Sequence, residues 1–240
     1  MTKTPKERIK AFADKQDKQH RQIASDVAKY TAAFMAFWYA FNEKHEGYTH
    51  ADDSRYYDPE LKEQVDRDAQ EVGVKQKSVA NNDELLSYAA YVYATAVAIK
   101  VAAYIGTTLG DLAKQTAKLG SSIYGKHIKA DLSAINKMFD GATWSDRIWS
   151  NQDALRNDLA KMMKNALLTH SNPITQSPEL RKRFGVMKYQ SDRIIRTESD
   201  RVMAHQGIVN AREAGYKKVV WVINSGACDI CLQHLSHIHI

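Results

Sequence analysis

The sequence predicts a mainly α-helical protein, its long helices packed as a bundle or arm, with a small β element after the last helix. Three observations predict it. Prolines and glycines are few, four and eleven in 240 residues, while Ala, Lys, Asp and Gln are abundant, a balance that favours helix. A heptad seam runs through the first long segment. Only one run, V-V-W-V-I within residues 218–224, reads clearly as a strand.

The first helix has its start signals in order: Thr4 as cap, Pro5 at the first helical position and Glu7 close behind. It is expected to reach about His45. Along it Ile23, Val27, Tyr30, Phe34, Phe37 and Phe41 alternate spacings of four and three, and Trp38 and Tyr39 widen the stripe. Such a seam packs on another long helix of the same chain or, as the sharper alternative, on a second chain. Residues 47–57 form a polar loop, and Asp58-Pro59-Glu60 starts a short charged helix ending near Gly73. Asn81 and Glu84 then cap a helix rich in Ala, Tyr and Val. It is expected to end near Gly106 or Gly110, with residues 111–119 as a further polar turn. Gly120 and the two serines after it are expected to break the chain direction. Another helix over 123–139 is closed by an Asp140-Gly141 turn.

Beyond that turn, Thr143 to Asp146 open a short helix with Trp144 and Trp149 as buried anchors. Residues 151–170 follow, with Leu155, Leu159, Met162, Ala166 and Leu167 on one face, and Met162 and Met163 read as core filling. Ser177-Pro178-Glu179 caps a short helix expected to stop at Gly185 in the left-handed closing conformation. A long helix over 187–214 ends at Gly215, and the strand follows. A lone strand leaves its backbone unpaired and needs a partner. The chain divides into an N-terminal helical arm or bundle, 1–140, and a second domain, 141–240.

Lys and Arg exceed Asp and Glu by 34 to 28, a formal charge of +6. That mild excess suits a nucleic-acid neighbour without being the footprint of a dedicated groove. Two cysteines make no disulfide framework, and the polar start M-T-K-T-P-K-E-R is no signal peptide, so synthesis in a reducing cytoplasm is expected. The longest apolar run, 85–105, carries Lys100 and is rich in Ala and Tyr. It fits a helix buried on all sides better than a membrane span.

The most specific pattern is the run Y-Q-S-D-R-I-I-R-T-E at 189–198. On a helical wheel Glu198 falls on the apolar face between Ile195 and Val202, where an ionised group is costly unless paired. Arg201 and His205 lie on the same side, so the three form a structural polar cluster. No nucleophile, phosphate loop or second carboxylate accompanies Glu198. No catalytic residue and no enzymatic activity are therefore expected. On the other side of the helix, Arg193 and Arg196 join Arg181, Lys182, Arg183 and Lys188 in the densest basic segment of the chain. Its plainer reading is a solvated face; its sharper one is phosphate contact with DNA, without base-reading aromatics or a known recognition module. Ala204, Gly207 and Ala211 form a strip of small residues that would admit a close helix.

C-D-I-C at 228–231, after a strand and a Gly-containing turn, has the form of half a zinc knuckle. Cys228, Cys231, His234 and His237 are equally spaced and make a four-ligand candidate metal site, with zinc the candidate cofactor. A redox role would want a βαβ context that the pattern does not offer.

Four motifs occur in order: W-S-D-R-I-W at 144–149, L-R-K-R-F-G-V at 180–186, R-I-I-R-T-E at 193–198 and C-D-I-C. Their order and spacing resemble the minor head proteins of tailed bacteriophages, the Mu F-like head-morphogenesis family, in its Gram-positive phage branch. The resemblance covers roughly residues 140–231; the family's downstream H-P-x-C-x-C segment has no counterpart here. It implies a structural head (capsid) protein in few copies near the portal vertex, in the virion after assembly in the host cytoplasm. The implied partners are the portal protein, packaged DNA and the major capsid or scaffold protein, with no membrane. In that family the Arg-Thr-Glu run is a signature of the fold. The alternative is a non-specific helical DNA-binding protein outside a virion.

Overall fold

A computed structural model describes residues 5–45, 56–138, 140–168, 173–220 and 237–239. Among them the protein is mainly helical: α1 (Pro5–Lys44), α2 (Pro59–Glu71), α3 (Asn82–Tyr124), α4 (Trp144–Leu168) and α5 (Pro173–Glu213). A single 3-10 turn, Leu132–Ala134, lies between α3 and α4. The chain forms two compact units, Met1–Tyr104 with Ala142–Ile194, and Ile105–Gly141 with Ile195–Ile240. Each unit takes stretches from both sides of residue 140.

The first unit is organised by the α1 seam. Ile23, Val27, Tyr30, Phe34, Phe37 and Phe41 are all buried, as is Trp38, while Tyr39 sits at the edge and shares a hydrogen bond with the Ser177 hydroxyl. The seam is satisfied within the chain. Phe34 meets Tyr93 of α3 edge-on, with ring centres 5.8 Å apart, and Phe184 of α5 at 5.6 Å; Trp38 stacks on Phe41 at 6.4 Å. Aromatic pairs in these geometries add to what burial alone contributes.

Polar groups lock the same unit at its helix ends. Asp58 caps α2, its carboxylate accepting the Leu61 N–H at 2.9 Å. Burial alone would raise this carboxyl; the Leu61 N–H and the Lys44 ammonium outweigh it and hold Asp58 below the usual carboxylate range. At the start of α3 a capping box closes as its sequence anticipates. The Glu84 N–H donates to Asn81 Oδ1 at 2.9 Å and the Ala80 N–H to Glu84 Oε2 at 2.7 Å. The Tyr88 and Tyr93 hydroxyls donate to Asp66 and Asp68 of α2 at 2.9 and 2.5 Å. Between α4 and α3, the buried Gln152 amide donates to Thr95 Oγ1 at 3.0 Å.

Several expected breaks are absent. α3 runs unbroken through Gly106, Gly110 and Gly120 to Tyr124. A helical glycine costs only about 1 kcal/mol relative to alanine, and a helix that buries Leu85, Val92, Val97, Ile105, Leu109 and Leu112 absorbs it. The true stop is Gly125, at φ 63°, a conformation glycine adopts without strain. The helix expected over 123–139 does not form: α3 ends at Tyr124, and the 3-10 turn is the only helical structure among the described residues from Gly125 to that limit.

α4 is continuous from Trp144, which is buried, whereas Trp149 is 39% exposed and no anchor. α5 likewise passes through Pro178 and Gly185, and Gly185 has no positive φ. Leu180, Phe184 and Met187 are buried on one side, spaced four and three, so a continuing helix goes on burying its apolar stripe. α5 ends at Gly215 as expected: the Gly215 N–H donates to Arg212 O at 2.9 Å and the Tyr216 N–H to Ala211 O at 3.0 Å, the paired bonds of a Schellman close. Most of the expected strand, residues 221–224, lies outside the described residues.

By length and composition α3 is the one described helix able to cross a membrane. However, 72% of its most apolar window is buried against protein, as in the core helix of a soluble fold.

Candidate functional site

The polar cluster lies in the second unit, where α5 holds the segment that follows α3. Glu198 is 1% exposed. Arg201 Nε donates to its Oε2 at 2.7 Å, and Nη2 of the same guanidinium lies 2.6 Å from that oxygen. The far side of the guanidinium is equally engaged: Nη1 donates to Ala134 O at 2.6 Å and Nη2 to Ile135 O at 3.2 Å. One arginine thus neutralises a buried carboxylate and binds the carbonyls of Ala134 and Ile135 at the end of the 3-10 turn, the first of which also accepts the Lys137 N–H at 3.3 Å.

His205 does not join this pair. Its Nε2 donates to Asp131 Oδ2 at 2.7 Å, a residue 74 positions away that the sequence did not single out. The His205 contact, with the Ser133 hydroxyl and N–H behind it, holds the Asp131 carboxyl far below the usual carboxylate range.

Next to His205, the buried Gln206 accepts the Asp131 N–H at 2.7 Å. It donates to Lys129 O at 3.2 Å and to Asn210 Oδ1 at 2.9 Å. Asn210 in turn donates to Thr116 O of α3 at 2.9 Å. Its approach explains Gly120, where a Cβ would stand 2.3 Å from Asn210 Nδ2. Gln206 and Asn210 were missed because nothing local distinguishes a buried amide from a solvated one. The signal was their spacing of four and eight from the apolar Val202, which puts both amides on its buried side of α5.

The basic segment splits in two. Lys182 lies 3.7 Å from Glu179, Arg183 pairs with Asp158 at 3.2 Å and with Glu179 at 3.0 Å, and Lys188 pairs with Asp192 at 2.8 Å. Arg181, Arg193 and Arg196 are exposed. Exposed among these cations is Tyr189, which the sequence reading passed over. Of the small strip, Ala204 and Gly207 are exposed and Ala211 is buried.

Cys228, Cys231 and His234 of the candidate metal site lie outside the described residues, as does the turn that carries them. His237 is described only in its backbone. Among the described residues no group of three or more His, Cys, Asp or Glu side chains is placed to hold a metal ion.

No protein-family model matches the chain, and neither a curated protein nor a solved structure matches it.

Proposed function

We propose that this chain is a structural minor head protein of a tailed phage, acting by binding at the portal vertex rather than by catalysis. The observation that carries this reading is the ordered set of four motifs resembling the Mu F-like family. Three of the four fall on described helices, with apolar members turned inward: Trp144 and Ile148, Leu180 and Phe184, Ile194 and Ile195. Glu198, the last residue of the Arg-Thr-Glu run, is buried in an ion pair. This is how residues that define a fold, rather than a reaction, are used.

On this reading the protein is made in the host cytoplasm and built into the head, close to the packaged DNA. The exposed Arg181, Arg193 and Arg196 are its candidate phosphate contacts. They also favour the second reading, non-specific DNA binding outside a virion. After α5 the proposal includes a small β element, with Cys228, Cys231, His234 and His237 as a candidate zinc site only. The antiparallel register of Val219 with Ile238 supports the β element.

The test is co-expression with the cognate portal protein. A complex that survives gel filtration over a range of salt, together with the chain's presence in purified heads, is expected. Separate migration and absence from heads would refute the head-protein reading. Retention on mixed duplex DNA with a steep salt dependence would then favour the second.

A further inference from the structure

The solvent side of α5 in the first unit carries a stripe that stays exposed, its one ion pair among the described residues being the 3.7 Å contact of Lys182, 72% exposed, with Glu179. Lys182, Val186, Tyr189 and Arg193 follow one another at spacings of four, three and four, so they share one stripe. Val186 is 45% exposed and Tyr189 68%. Beside them is Gly185, whose added Cβ would meet nothing within 4 Å. Glycine is the poorest helix residue after proline, and neither a turn nor a neighbour among the described residues requires one here. Glycine on a helix surface lets another backbone come close. A tyrosine and an arginine on an exposed apolar shelf are the residue types that interfaces concentrate at their centres.

We infer that this face docks an acidic amphipathic helix of a partner protein, which crosses at Gly185 and packs small apolar residues against Val186 and Tyr189. The inference deepens the assembly role proposed above and rests on it. Lys182 and Arg193 stand at the two ends of the shelf, about 16 Å apart along the helix axis at 1.5 Å per residue. A complementary helix therefore carries carboxylates about three turns apart, flanking its apolar contact. Electrostatic matching of this kind sets register and speeds encounter. A second copy of the same face is disfavoured, because either orientation sets cation against cation. Nucleic acid would use Lys182 and Arg193 but gains little from Val186 or an open glycine.

The probe is a labelled synthetic helix with an Ala/Leu face and glutamates eleven residues apart, titrated into the full chain by fluorescence anisotropy. The parent should bind it, and a peptide with lysines in place of the glutamates should not bind. Gly185→Gln improves helix propensity, so the variant should melt no lower than the parent while binding at least tenfold more weakly. Arg193→Glu should lose the acidic peptide and recover affinity for one with lysine at the matching end.

The inference fails if the parent ignores the acidic peptide, or if Gly185→Gln and Tyr189→Glu bind it as the parent does. It also fails if a DNA oligonucleotide, and not the peptide, is bound in an Arg193-dependent way. Portal association is scored separately. A portal complex unaffected by these variants leaves the head-protein role standing and removes this surface. Peptide binding without any portal complex does the reverse.

Discussion

Replacing Glu198 with Gln tests the central cluster most directly. Glu198 is 1% exposed, and its Oε2 takes both Nε and Nη2 of Arg201. Removing one charge of a fully buried pair costs about 3–5 kcal/mol, because the other charge is stranded. Arg201 would not be stranded: its side chain is 21% exposed, and its Nη1 and Nη2 still donate to Ala134 and Ile135 carbonyls. Glutamine also keeps an oxygen to accept from Nε. The expected loss is therefore about 1–3 kcal/mol. In a chain of this size that is a fall of about 2–12 °C in melting temperature.

Thermal and urea unfolding followed by far-UV circular dichroism measure it. A double-mutant cycle with Arg201→Gln should return a coupling of about 0.5–3 kcal/mol. If Glu198→Gln lies within about 0.5 kcal/mol of the parent, the carboxylate is solvated and the placement of α5 against residues 131–135 is wrong.

Gly120→Ala should destabilise by about 1–3 kcal/mol, because the new methyl displaces Asn210 and its bonds to Thr116 and Gln206. Gly110→Ala meets open space and should stabilise by about 0.4–1 kcal/mol; equal melting shifts would contradict the close approach. Asp131 titrates below its unfolded value, so its contribution is fully present above about pH 4 and is lost as pH falls toward the folded value. The stability gap between the parent and Asp131→Asn should therefore be constant from pH 5 to 6, by the same linkage, and should narrow in acid; a gap that widens there would reverse the sign. Elemental analysis of protein purified without a metal column or chelator should settle the knuckle. One zinc per chain, lost on Cys228→Ser, is expected if His234 and His237 complete the site, whereas two reactive thiols and no metal would discard it.

The long helices were legible because their signals are periodic and redundant. Six seam positions in α1, two reciprocal bonds at the α3 cap and a closing glycine after α5 each repeat one message. The breaks were misread because Gly106, Gly110, Gly120, Pro178 and Gly185 are single local signals, overruled wherever an apolar stripe continues past them. Trp149 was misplaced by treating a large aromatic as buried on identity alone. The Glu198–Arg201 pair sits three residues apart on one helix and could be read from the wheel. Asp131 could not, because its partner His205 is distant in sequence and only the fold brings them together. For the same reason the pairing of Arg183 with Asp158 was invisible, whereas Glu179 and Asp192, which pair with Lys182, Arg183 and Lys188, lie three or four residues away on α5 and were open to reading.

The segment after α3 is gripped mainly by its main chain. Lys129, Ala134 and Ile135 offer carbonyls, and Asp131 offers its N–H as well as its carboxylate. The gripping side chains, Arg201 and Gln206, belong to α5. Information about the contact is therefore stored almost wholly on one of its two sides. Positions such as Lys129 and Leu132, whose side chains are exposed, are free to drift without loosening the hold, whereas Arg201 and Gln206 are not. A lineage under pressure to alter its outer surface has, in this short stretch, a place to write new chemistry at little structural cost.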